Sequence, residues 1–208
     1  MSRTEYYNEL KELARSIRSE FGLITPRVMR SDLRRIYRDR EIKIDLWPQK
    51  FRTLRGAYFN DENGATVMLA KGLPEDPMVF TMAHELKHHL RDAGISVSYC
   101  DPSNEREPIE IGAEVFAAEL IYPENDFARD MVERNIGFGK CHPADLVRLK
   151  RETRTTLSYS GLAKRAQFLG FSNSGALIGV KWKKLEEEIY GVPFYKQFRV
   201  RRFGSASR

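Results

Sequence analysis

The chain has only two cysteines in 208 residues and no apolar run near the ~18 residues of a membrane span. Cys100 and Cys141 lie far apart and build no disulfide framework, so two reduced thiols are expected. Cys141-His142 is too sparse to form a second metal site. The opening MSRTEYYNELKELARSIRSE is charged throughout and lacks the apolar centre of a secretory signal, so a cytoplasmic protein without a membrane partner is expected. No internal repeat is visible. Histidine is scarce as well. Of four, three fall together at His84, His88 and His89, which makes that stretch the place to look for chemistry.

The net charge of +6 conceals a strong asymmetry. Residues 1–56 carry 14 basic and 8 acidic side chains, residues 57–140 carry 7 and 16, and residues 141–208 carry 14 and 5. A solvated surface accounts for such charge in most proteins. The alternative is an acidic centre that holds a cation, with basic flanks that meet an acidic partner or nucleic acid.

Hydrophobic spacing gives an α+β chain. Tyr6, Leu10, Leu13, Ile17 and Phe21 recur at helical intervals, and Gly22 ends the pattern. Ser31 is the expected cap of a short second helix carrying Leu33, Ile36 and Tyr37. IKIDL, RGAYF and ATVMLA read as strands of a small, mostly antiparallel sheet of about three strands, with Asn63-Gly64 at a hairpin turn. A helix is expected from Pro77 to about Asp92, then a loop through GISVSYCDPSNEREP, then a helix opened by Pro108 and stopped near Pro123. Further helices are expected over 125–134, 143–153 and 158–169, and the basic tail KQFRVRRFGSASR is expected to fray. The sheet should pack on the histidine helix. The natural division is 1–140 as the functional domain and 141–208 as a C-terminal helical segment.

The histidine helix reads His84-Glu85-Leu86-Lys87-His88. Residues four apart stand one turn above each other, so both imidazoles reach one ion. Glu85 is rotated by about 100° from His84, beside the ion rather than on it, where it takes a proton from water. His89 points elsewhere. Zinc suits two nitrogens and one oxygen, and manganese or iron(II) fits the same donor set. A catalytic zinc takes three protein ligands, so one is missing. Glu105 and Glu107 precede Pro108 in an extended segment and should be solvated. Glu110 and Glu114 share a helix face beside the small Gly112 and Ala113, whereas Glu119 lies off that face and is expected to be exposed. Either Glu110 or Glu114 serves as third ligand. Glu110 is favoured, because Glu114 would then stand one turn later to accept the outer N–H of a ligand histidine.

FTMAHELKHHL followed by EIGAEVFAAELIYP resembles the ImmA/IrrE family of metallopeptidases, and EIGAEV is similar to the third-ligand helix of thermolysin-like peptidases. The resemblance covers residues 55–125. LSYSGLAKRAQFLGF also resembles the family's C-terminal helical segment. It implies His84, His88 and Glu110 as zinc ligands, Glu85 as general base and Glu114 behind a ligand. Two positions depart from the family pattern. Lys87 stands where Gly is common, at a non-ligand position expected to be exposed, and Glu114 stands where Asn is usual. The family implies a protein substrate, a helix-turn-helix repressor or antitoxin encoded nearby, whose cleavage leads to derepression. A rival reading is a metal-containing sensor or regulatory protein that holds DNA or a partner without peptidase activity. PADLVRLKRETRTTLSYSGLAKRAQFLG has the shape of a helix-turn-helix, although a helical cap on the core is the commoner use of such a pair. Tyr58, Tyr99, Tyr122 and His142 are candidate donors to an oxyanion.

Overall fold

The computed structural model describes residues 2–48, 55–92, 97–99 (backbone only) and 107–193. Helix α1 (Arg3–Glu20) opens on a reciprocal cap. The Ser2 hydroxyl accepts from the Glu5 amide at 3.2 Å, and Glu5 accepts from the Ser2 amide at 2.6 Å. Gly22, at φ +64°, ends it as expected. Helix α2 (Arg30–Asp39) starts two residues earlier than its sequence suggests. Its cap is Met29, whose amide donates to Asp32, so Ser31 lies inside the first turn.

The sheet orders β1 (Lys43–Trp47), β3 (Gly64–Ala70), β2 (Gly56–Asp61) and β4 (Val97–Tyr99) from edge to edge. It is mixed: β2 pairs antiparallel with β3 and β4, while β1 runs parallel to β3. The expected α+β class holds, with one pairing of the other sense. Strand β4 lies in the stretch read as loop. Three residues between turn formers carry too little alternation to be seen, and pairing with β2 creates the strand. Glu62 and Asn63 occupy the hairpin turn, followed by Gly64 at φ +96°, one residue earlier than the Asn-Gly reading.

Ala65, Val67 and Leu69 alternate inward along β3 and, with Tyr58 of β2, join the core beneath α3 (Glu75–Arg91). Each aliphatic side chain removed from water there contributes about 1.5–3 kcal/mol. Helix α3 is buried nearly all round, because the sheet covers one side and α4 (Pro108–Ile121) the other. Helix α1 crosses α4 at Gly112, where an added Cβ would sit 2.9 Å from both the Tyr6 ring and Leu10. Helices α5 (Glu124–Glu133), α6 (Pro143–Thr153) and α7 (Tyr159–Phe168) fall close to their expected spans, and the same hydrophobic cluster runs through them. Helix α8 (Trp182–Tyr190) was not legible. Its Trp182 stacks on Tyr159 with centroids 5.2 Å apart, so that aromatic is a packing residue. The tail KQFRVRRFGSASR lies outside the described residues. Among the described residues, no helix is long and apolar enough to cross a membrane.

Candidate metal centre

Both histidines of the motif lie on the face of α3 turned to α4. His84 is 7% exposed and His88 is fully buried, and their rings stand 5.1 Å apart. Pro108 fixes the start of α4, which places Glu110 in its first turn, 6% exposed. His84 Nε2 lies 3.1 Å from Glu110 Oε2 and 3.2 Å from His88 Nε2, and His88 Nε2 lies 3.6 Å from Glu110 Oε1. Zinc bonds to nitrogen and oxygen place tetrahedral ligand atoms about 3.3–3.6 Å from one another. The three donors thus already stand at ligand–ligand separations, and together they form a buried group able to hold a metal ion. Two imidazoles and one carboxylate fit zinc chemically.

The electrostatics point the same way. Asp92 accepts from His88 Nδ1 at 2.7 Å and from Lys87 Nζ at 2.6 Å. Burial alone would raise the Asp92 pKa, but the hydrogen bonds and charges of His88 and Lys87 outweigh it and hold the carboxyl below its usual value. An ionised carboxylate only accepts, so His88 donates from Nδ1 and turns its Nε2 toward the centre. At His84, burial would lower the pKa. The Glu110 hydrogen bond and the charges of Glu85, Glu110 and Glu114 overcome that, so the ring holds a proton more firmly than usual. This excess of negative charge is what a divalent cation neutralises.

Glu85 is fully buried against the start of β2. A Cβ added at Gly56 would lie 2.5 Å from Thr81 Cγ2 and 2.8 Å from Glu85 Oε1. Gly56 therefore sets how near the strand comes to the carboxylate. Nothing in RGAYF announces this, since the requirement belongs to a contact between distant elements.

Three expectations are revised. Glu114 is half exposed and pairs with Lys164 at 3.2 Å, while the carboxylate at the outer nitrogen of His88 belongs to Asp92 on the ligand helix itself. An i,i+4 partner on one helix needs no second element, so His88 and Asp92 could have been matched by spacing alone. Lys87 is fully buried, since α4 and α1 close over the face that a single-helix view leaves open. Glu119 is also fully buried, between Arg15 of α1 and Arg165 of α7, each at 2.8 Å. Lys164 and Arg165, the basic residues that make α7 look like a DNA-reading helix, are thus both paired with carboxylates of α4.

Of the oxyanion candidates, Tyr122 gives its hydroxyl to Asp130 and His142 caps α6 at the surface. The Tyr99 side chain lies outside the described residues. Tyr58 is buried with its hydroxyl 3.3 Å from His89 Nδ1, and burial followed by the charge of Asp92 raises its pKa.

A helix carrying His-Glu-x-x-His, a carboxylate from the next helix and a small sheet alongside define a metallopeptidase-like domain. Residues 40–137, from the end of α2 past α5, match the Peptidase_M78 family model, the IrrE N-terminal-like domain. The match, over 40–137 of the 208 residues, supports the resemblance to the ImmA/IrrE family, a peptidase family. No curated protein gives a match.

Proposed function

We propose that the protein is a zinc-dependent endopeptidase acting on a protein substrate, a helix-turn-helix repressor or antitoxin, whose cleavage relieves repression in the cytoplasm. The observation carrying the metallopeptidase reading is the convergence of His84, His88 and Glu110 at ligand separations beside the buried Glu85. The identity of the substrate rests on the family resemblance.

His84 and His88 would hold the ion through Nε2 and Glu110 through a carboxylate oxygen. A bound zinc ion supplies a Lewis acid for the scissile carbonyl and makes a neighbouring water more acidic. Glu85 accepts the proton of the attacking water on a carboxylate oxygen. It then delivers that proton to the leaving amine nitrogen as the C–N bond breaks. Burial of Glu85 keeps bulk water from competing for that proton.

The test pairs the protein with any small helix-turn-helix protein that the neighbouring reading frames encode. Cleavage is expected in zinc buffer, abolished by chelator and restored by zinc. Glu85→Gln should retain the ion and lose about 10²–10⁴-fold in rate, the usual worth of a general base. A Glu85→Gln protein cutting at the native rate contradicts the mechanism.

A further inference from the structure

Lys87 is the least expected side chain in the centre of the molecule. An ammonium that is 0% exposed must be paired, because an isolated charge in the interior costs several kcal/mol. Its partners are specific. Nζ donates to Asp92 Oδ2 at 2.6 Å and to the carbonyl of Ile109 at 3.0 Å, and it lies 5.8 Å from the centroid of the Tyr6 ring. Each contact falls on a different element. Asp92 caps the end of α3 and accepts from His88, Ile109 immediately precedes Glu110 in the first turn of α4, and Tyr6 belongs to α1.

We propose that Lys87 is a positioning residue for the metal centre. It fixes Asp92 against His88 and ties the backbone beside Glu110 to the histidine helix, so that the third ligand meets the other two. This rests on the metal-centre reading given above. Lys87 touches neither the ion's place nor the reacting atoms; it acts through Asp92 and through the first turn of α4.

Charge and positioning make opposite forecasts. As a bare positive charge near a cation site, Lys87 would weaken binding, and neutralising it would tighten the site. As a positioning group it strengthens binding, and removing it loosens the site. The ammonium holds Asp92 at 2.6 Å and the Ile109 carbonyl at 3.0 Å, so removing it frees both the carboxylate that orients His88 and the backbone beside Glu110. Loss of orientation should therefore dominate. Removing groups that orient metal ligands typically costs about 10–100-fold in affinity.

The experiment measures Co²⁺ and Zn²⁺ affinity by competition with a chromophoric chelator, together with the visible spectrum of the Co²⁺ form. The full-length native protein is compared with Lys87→Met and Lys87→Gln, after circular dichroism confirms that each metal-free protein is folded. Lys87→Met, of similar length and apolar, is expected to bind about 10–100-fold more weakly with an altered Co²⁺ spectrum. Lys87→Gln is uncharged yet donates hydrogen bonds, and it should recover part of the loss. It also carries the test alone if Lys87→Met fails to fold. Native affinity and spectrum in both variants, or tighter binding in either, overturns the positioning role and leaves the metal centre standing. A native protein that takes up neither ion overturns the metal centre and this inference with it.

Discussion

At the scale of single residues, the site is built to a tolerance of less than a methyl group. Gly56→Ala would drive a Cβ to within 2.8 Å of Glu85 Oε1 and 2.5 Å of Thr81 Cγ2, so either the carboxylate or strand β2 must shift. Overpacking of this kind costs about 1–3 kcal/mol. In the proposed mechanism Glu85 carries the proton, so activity should fall further than stability. The expected result is a modestly lowered denaturant midpoint with a loss of kcat near that of Glu85→Gln, and metal affinity close to native. Equal kcat in Gly56→Ala and the native protein would show that the strand does not set the carboxylate. The three side chains that converge were legible in the sequence, His84 and His88 from helical spacing and Glu110 as the favoured of two carboxylates. The residues around them were not. Lys87 read as exposed because its surroundings come from α1 and α4. Gly56 read as ordinary because its neighbour is 29 positions later in the chain. Asp92 was not legible as the partner of His88 because Glu114, one turn beyond Glu110, offered a carboxylate at the same helical spacing.

At the scale of elements, the C-terminal helices are fastened to the ligand-bearing helix by a buried carboxylate. Glu119 of α4 accepts from Arg165 of α7, from Arg15 of α1 and from the backbone amide of Glu124. A buried pair of this kind is weak evidence of net stabilisation, yet breaking it is costly, because the partner charge remains in the interior. Glu119→Ala should lower stability by about 3–5 kcal/mol, read as a shift in the urea midpoint. Amide exchange in α7 should accelerate more than in the β2–β3 hairpin, since Arg165 is the group left without its partner. Uniform acceleration throughout the chain would instead mean that α7 is held by its apolar face alone. The helices α1 to α7 and three strands were legible from periodicity and punctuation. Strand β4 and helix α8 were not, the first being three residues long and the second having no buried residue to mark a face.

At the scale of the whole molecule, one hydrophobic cluster extends from Leu10 of α1 to Leu177 beyond α7, passing beneath the histidine helix. The framework that aligns His84, His88 and Glu110 is thus continuous with most of the chain's apolar interior. An ion bound to the folded chain and not to the unfolded one adds stability by mass action, about 2.7 kcal/mol at a hundredfold excess over its dissociation constant. Chelator should therefore lower the thermal midpoint by several degrees with little change in circular dichroism, and zinc should restore it. A midpoint unaffected by chelator and by added zinc would argue against a resident ion. The basic flanks seen in the sequence are partly consumed within the molecule. Arg15, Arg18 and Arg165 are spent on carboxylates and helix-end carbonyls, so the overall charge overstates what is free to meet a polyanion.

The two imidazoles and both oxygens of Glu110 meet at 3.1 to 3.6 Å, so the fold gathers the negative charge of Glu110 and its neighbours at one buried point. Such an arrangement behaves like a compressed spring. Packing elsewhere keeps it closed, and occupancy by a cation discharges it. The protein's resistance to heat would then serve as a gauge of how much of that centre is filled by a divalent ion.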